Sequence, residues 1–428
     1  MQSDSEVHGE HQGLLGGGRG RVLFLLVLVY TFNFIDRQIV AILAVPIKAD
    51  LGLTDTQLGL MGGLAFALFY TGLGIPVAML ADRFSRTWIM TVALAVWSAM
   101  TAVCGLAQNF AQLFLARLGV GVGEAGGVAP AYSLIADYFP AHQRARALGI
   151  YSFGIPIGSA LGIVFGGLIA SQVDWRVAFF AVGLAGIALA PVFRLMIKEP
   201  PRGRYDPAQG ARRPAGLREL ARVLGAKPSF WLVSLGAASA SMMGYGLYFW
   251  LPSFFVRSHG LTLLEASLYF GAIVLVGGLA GIWGGGWLGD RLGRLRRTHY
   301  LAVPAVAFCA TAPLYVLALS SPNLTLTFLA LLPPTALGLA WLGPVVAVIQ
   351  HLVRPGMRAT ASAVYLFVLN LVGLGLGTWA LGALSDALSV RFGAESLRYS
   401  ILAGTVLYLL AAALFLLAMR WLERDWAE

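Results

Sequence analysis

Asp82-Arg83-Phe84-Ser85-Arg86 closes a long apolar run, and 208 positions later Asp290-Arg291-Leu292-Gly293-Arg294 closes another. Each is followed by a further apolar run. A charged turn that recurs at about half the chain length, in so apolar a sequence, points to internal duplication. A second pair agrees. Arg144-Ala145-Arg146-Ala147, followed by Tyr151 and Phe153, matches Arg358-Ala359-Thr360-Ala361, followed by Tyr365 and Phe367, at an offset of 214. Two matches at nearly one offset outweigh either alone.

The 428 residues are 58% hydrophobic and only 12% charged, against roughly 25% charged in soluble domains. Apolar stretches near or above about 18 residues recur along the chain, each long enough to cross the hydrocarbon of a bilayer. They are continuous rather than alternating, which excludes a β-barrel. The expected fold is an all-α integral membrane protein with twelve transmembrane helices in two six-helix halves. The spans fall near 21–47, 57–80, 87–107, 112–136, 144–171, 175–197, 229–257, 263–288, 298–319, 323–352, 358–388 and 394–422. The first run is too long for a signal-peptide core and lacks a small-residue cleavage site, so it reads as a retained span.

Residues 198–227 break the pattern with Pro200, Pro201, Pro207, Pro214 and eight basic residues. They read as a cytoplasmic linker. The expected organisation is a disordered cytoplasmic tail over 1–19, a six-helix bundle over 20–197, the linker over 198–227 and a second six-helix bundle over 228–428. Such a duplicated bundle is the common architecture of a transporter.

The formal net charge is +10, and its placement decides its meaning. Sorting Lys and Arg over alternate sides puts 22 on one face and five on the other, namely Lys48, Arg176, Arg257, Arg391 and Arg398. That is the positive-inside asymmetry, so both termini are expected in the cytoplasm and the excess charge meets anionic lipid heads, not nucleic acid. Cys104 and Cys309 sit in apolar runs of different halves and form neither a metal cluster nor a disulfide framework. Gly121-Val122-Gly123-Glu124-Ala125-Gly126 has the spacing of a dinucleotide fingerprint but lies inside an apolar span with no strand before it. No hydrolase, zinc-protease or nucleotide-loop motif is present, so the reading is of no enzyme, no metal and no cofactor. Channels commonly assemble a pore by oligomeric symmetry. Here one chain holds the duplicated unit, and a functional monomer is expected.

Four ionisable residues fall inside spans: Asp36 and Arg37 in the first, Arg117 and Glu124 in the fourth. Burying them costs several kcal/mol unless they pair or line a wet cavity. Arg117 and Glu124 are seven residues apart, about two turns, and so share a helix face. Asp36 and Glu124 are candidates for proton coupling, and Arg37 and Arg117 for binding an anionic substrate. Tyr151, Tyr245, Tyr248, Trp250, Tyr365 and Asn370 are candidate lining. Arg194, near the cytoplasmic end of span 6, reads as a structural residue that snorkels to the interface, and His351, near another cytoplasmic end, as a surface residue.

The charged turns resemble the loop signature of the major facilitator superfamily, Gly-x-Leu-Ala-Asp-Arg-x-Gly-Arg. The second copy, from Gly286 through Leu288, Asp290, Arg291, Gly293 and Arg294, is close. The first departs, with Ala78 and Ser85 at the two glycine positions. A carboxylate at a helix end can pair with nearby arginines and with a neighbouring helix N-terminus. Asp82, Arg83, Arg86, Asp290, Arg291 and Arg294 are therefore candidate gating residues. Asn33-Phe-Ile-Asp36-Arg37, Arg117 through Ala125, Ala129-Pro130, Asp137 to Pro140 with Arg144, and Tyr151 to Gly158 resemble the Spinster family. The C-terminal half resembles only the superfamily. The resemblance implies export of a lysophospholipid or sphingoid phosphate, driven by protons in some members. Similar bacterial carriers take organic anions and sugar acids, and they imply a bacterial inner-membrane location.

Overall fold

The computed structural model describes residues 18–205, 217–293, 295–354 and 357–426, and all regular structure among them is helical. Residues 1–17, most of the stretch read as a disordered tail, lie outside the described residues, as do 206–216 of the stretch read as linker. Among the described residues ten helical stretches are long and apolar enough to cross a membrane. The fourth crossing is not among them, and Thr360–Asp425 contains two crossings, so the chain makes the twelve passes expected.

Span 1 is Arg19–Leu51, span 2 Asp55–Arg83, span 3 Arg86–Cys104 and span 6 Trp175–Met196. Span 7 is Pro228–His259, span 8 Leu263–Gly293 and span 9 His299–Ser320. The remaining spans are interrupted. Span 4 consists of Phe110–Glu124 and Val128–Tyr138, and span 5 of Ala141–Ser152 and Gly154–Gln172. Span 10 consists of Leu324–Leu337 and Leu342–His351, and span 12 of Ser396–Gly404 and Val406–Asp425. Span 11 is Arg358–Val368, a π-helical turn Leu369–Leu374 and Gly375–Phe392; span 2 holds a matching π-helical turn at Leu60–Leu64. Spans 4 and 10 occupy corresponding places in the two halves. Both break where glycine or paired prolines weaken the helix: Gly126 and Gly127 in one, Pro333 and Pro334 before Gly338 in the other. Such breaks in corresponding positions point to the working centre of a transporter. Leu217–Gly225, inside the stretch read as linker, is also helical.

Span 1 begins at what is here the near face and ends at the far face. Gly52, in the left-handed region at φ 63°, ends span 1, and Gly260, at φ 66°, ends span 7. Thr54 and Gln57 then cap span 2 reciprocally, and Thr262 and Glu265 do the same for span 8. Each box satisfies backbone N–H groups that the helix start leaves open.

The two sets of six spans meet towards the far face, where span 1 packs on span 7, span 2 on span 11, and Gly154–Gln172 on span 8. Among the described residues, no packing on that scale joins the near-face segments Val128–Tyr138 and Ala141–Ser152 to Leu342–His351 and Arg358–Val368. Among the described residues the chain is closed at the far face and lacks such packing at the near one.

At the near face Arg86 is almost fully buried and pairs with Asp137 and, at 2.7 Å, with Glu199. Ser85 Oγ and the Thr87 N–H also donate to Glu199, at 2.8 and 3.0 Å. This fastens the chain beyond span 6 to the loop between spans 2 and 3. Burial pushes the Glu199 carboxyl up, but the Thr87 N–H and the bonds from Arg86 and Ser85 outweigh it and hold the group below its ordinary range. Its contribution to stability is therefore present above the ordinary Glu range and lost as pH falls through the depressed value. Thermal unfolding in detergent should show an acid-side loss of stability that Glu199→Gln lacks. Identical acid limbs would show that Glu199 is not the group responsible.

Candidate functional site

The Arg37 Nε donates to Glu124 Oε2 at 2.7 Å, joining span 1 to span 4. Glu124 is fully buried and the Arg37 side chain is 10% exposed. The Arg37 guanidinium is boxed by rings, 5.0 Å from the centroid of Phe34, 4.7 Å from Phe66 and 4.6 Å from Tyr70. A cation held over aromatic faces keeps part of its stabilisation when its carboxylate partner is lost. The Arg37 Nη2, the Glu124 Oε1 and both Asp36 carboxylate oxygens are buried without a hydrogen-bond partner. The Thr101 hydroxyl and the Trp97 indole nevertheless approach the Asp36 carboxylate, and Arg117 Nη1 makes a long 3.5 Å contact with the Asp36 carbonyl. This polar cluster is thus under-satisfied, a costly arrangement in a low-dielectric interior.

Glycines place Glu124. A Cβ at Gly121 would lie 2.7 Å from the Phe66 carbonyl oxygen, and one at Gly123 2.5 Å from the Trp97 nitrogen. Spans 2 and 3 therefore press their backbones on span 4 beside Glu124, and the helix ends there, one residue before the break. The cluster adjoins a cavity of about 30 Å³ lined by Arg37, Phe66 and Arg117 from the first six spans and Tyr245, Tyr248 and Leu374 from the last six. That volume suits about one water, so admitting a larger occupant requires these walls to part.

Above the cavity, towards the far face, Asp55 ties the two sets of spans together. Arg257 Nη1 and Nη2 reach its two carboxylate oxygens at 2.7 Å each, Lys48 Nζ donates at 2.6 Å and Ser385 Oγ at 2.8 Å. Asp386 of span 11 accepts from the N–H groups of Asp55 and Thr56 at 3.1 and 2.7 Å, capping the start of span 2 from across the interface. Among the described residues no group of His, Cys, Asp and Glu has the arrangement of a metal site.

Residues 26–378 match the Major Facilitator Superfamily. A protein of Mycolicibacterium smegmatis named "MFS-type efflux pump" is 35% identical over 390 residues, covering 91% of this chain and 88% of that one. The human "Protein spinster homolog 1" is 31% identical over 407 residues, covering 88% of this chain and 75% of that one. A crystal structure of a bacterial homologue of the human lysosomal transporter Spinster, inward-facing and unoccupied, superposes with a TM-score of 0.88 at 34% identity, over 96% of this chain and 99% of that one. The chain is a Spinster-like member of the major facilitator superfamily. It is a multi-pass membrane transport protein.

In this Spinster-like transporter the four ionisable residues singled out within spans, Asp36, Arg37, Arg117 and Glu124, come together in one cluster. Tyr245 and Tyr248 line the cavity; the other aromatic candidates do not. Trp250 lies about 200° around the helix from Tyr248, is fully buried and donates from its indole to the Thr378 carbonyl at 2.8 Å. Tyr151 is buried against Tyr30, with ring centroids 4.2 Å apart. Tyr365 is buried and its hydroxyl lacks a partner. Asn370 sits in the π-helical turn of span 11. In this conformation these four are not among the residues lining the cavity.

The turn residues divide differently. Asp82 and Arg83 are exposed, whereas Arg86 is the buried centre of the Asp137–Glu199 network. Arg291 is exposed, its guanidinium 5.2 Å from the Trp287 ring centroid. The side chain of Asp290 and the whole of Arg294 lie outside the described residues. Sequence reasoning missed Asp55, Lys48, Arg257 and Asp386. A signal existed for two of them, since Lys48 and Arg257 are among the five basic residues on the sparsely charged side.

Proposed function

We propose that this Spinster-like transporter is a proton-coupled secondary carrier that moves an amphipathic anionic lipid, such as a lysophospholipid or sphingoid phosphate, by alternating access. The observation that carries the reading is the Arg37–Glu124 pair beside the buried Asp36, on a cavity walled by both sets of spans. Arg37 both lines the cavity and holds the buried carboxylate. A proton on Glu124 removes the negative partner and frees Arg37 for a phosphate or carboxylate. Asp36, almost fully buried, loses its desolvation cost when neutral. It is the second group on which a proton is expected to travel.

Phe66, Tyr245, Tyr248 and Leu374 supply an apolar wall for a chain beside a cationic point for a head, which favours an amphipathic anion. The name of the mycobacterial relative supports export. The twenty-two-to-five distribution of basic residues supports a cytoplasmic near face and a bacterial inner-membrane location. The working unit is taken as one chain, with bundles over 20–197 and 228–428 rocking about the centre and 198–227 as the link between them. A second reading, a water-soluble organic anion or sugar acid, is favoured by the polar Gln38 and Thr378 in the same lining.

A substrate screen in proteoliposomes with an imposed pH gradient tests both. Gradient-dependent movement of lysolipids but not sugar acids supports the first reading, and the reverse pattern supports the second. Movement of either that ignores the gradient removes proton coupling.

A further inference from the structure

Span 3 packs within the first six spans, against spans 4 and 6. Between spans 2, 3 and 4 lies a separate groove of about 370 Å³, with Val77 and Leu80 on one wall, Trp88, Val92 and Val96 on another, and Gly126 at its base. Trp88 and Val92 are each 53% exposed, so the trough is open and faces neither the cavity nor the interface between the two sets of spans.

Its near-face end is cationic. The Arg194 guanidinium lies 4.7 Å from the Trp88 ring centroid, and its Nε is buried without a hydrogen-bond partner. Arg202 donates to the Ala81 and Phe84 carbonyls, both at 2.8 Å, beside the same loop. Arg83 there is exposed. Against these stand the exposed Asp82 and Glu199, whose oxygens are already taken by Arg86, Ser85 and Thr87. An apolar trough in a membrane wall, closed at the interfacial end by arginines, matches an amphipathic anion lying along the bilayer.

We propose that the groove holds one acyl chain of an anionic membrane phospholipid, with its phosphate against Arg194 and Arg202. The bound chain rests on Gly123 and Gly126, on the break of span 4 directly behind Glu124, and so braces the element that carries the buried carboxylate. This lipid is a resident of the outer wall and is distinct from whatever enters the central cavity. The proposal stands whether or not the substrate reading above holds.

Trp88 provides the probe. The full-length protein is placed in nanodiscs containing phosphatidylcholine or phosphatidylglycerol brominated on the acyl chains. The Trp88 share of fluorescence quenching is taken as the difference from Trp88→Phe. The expected result is a preference for phosphatidylglycerol of roughly fivefold, the scale of one basic side chain near an anionic surface. Arg194→Gln with Arg202→Gln, both near the surface, should reduce it to less than about twofold. Equal quenching by the two lipids, no Trp88 component at all, or a preference that survives the double substitution each overturns the proposal.

Discussion

Glu124→Gln is expected to remove pH-gradient-driven transport while leaving the protein in the membrane, and to be among the most damaging single changes in the chain. It strips Arg37 of its 2.7 Å partner in an interior where Glu124 is fully buried. Breaking a buried pair by removing one member costs about 3–5 kcal/mol, because the remaining charge is left without compensation. The aromatic box of Phe34, Phe66 and Tyr70 recovers a share of that, on the order of 1–2 kcal/mol for a desolvated cation. A net loss of about 1–4 kcal/mol should lower the thermal midpoint. Arg37→Gln in the same chain should restore much of the stability, since both charges are then gone. It should not restore gradient-driven transport, which needs a group that takes and releases a proton. That split is the informative result. If Glu124→Gln in proteoliposomes keeps the pH dependence of the parent, Glu124 is not the coupling group, whatever happens to stability.

This cluster was legible from sequence for a physical reason. A charge inside an apolar span is rare because it is expensive, so Asp36, Arg37, Arg117 and Glu124 stand out without any knowledge of the fold. The seven-residue spacing of Arg117 and Glu124 gave their common face. Sequence did not give the partner: Arg37 bonds to Glu124 and Arg117 lies by the Asp36 backbone, an arrangement that depends on helix rotation. The same gap explains Trp250, which shares a span with Tyr245 and Tyr248 but points elsewhere. The far-face lock was harder still. Its bonds join Asp55 to Arg257 and to Ser385, far apart in sequence, and nothing local in Asp55 announces them.

The duplication itself contained a further clue. Gly52-Leu53-Thr54 and Gly260-Leu261-Thr262 recur at the same 208-residue offset as the charged turns, and both threonines open capping boxes, with Gln57 and Glu265. The match covers backbone needs: a glycine able to take positive φ, then a cap. At the next position the halves part, with Asp55 in one and Leu263 in the other. Like the central cluster, the far-face lock is built on an acid found only in the first half. The repeat fixes where the helices turn, and its departures mark where charge was added.

That asymmetry gives the second large effect. Asp55→Asn should shift the conformational equilibrium towards an open far face. Asp55 is 3% exposed and pairs with Lys48 and Arg257 together. Without its charge these two cations face each other, one on each side of the interface, and attraction becomes repulsion. Loss of the two-pronged Arg257 bond should move the equilibrium by about 3 kcal/mol, on the order of a hundredfold. Asp386→Ala removes the cap on span 2 but leaves the Asp55–Arg257 pair, and should move it by only about 1 kcal/mol. Spin labels at Gln108→Cys and Val390→Cys, near the far-face ends of spans 4 and 11, report the opening. Cys309, which is exposed, is replaced by Ser, and buried Cys104 is kept. The label separation should lengthen in Asp55→Asn and in Arg257→Gln, and less in Asp386→Ala. With both charges removed, Asp55→Asn plus Arg257→Gln should open the face less than Asp55→Asn alone, because the repulsion with Lys48 is gone. An unchanged distance distribution in Asp55→Asn would mean that helix packing between spans 1 and 7, 2 and 11, and 5 and 8 holds the far face shut without the lock.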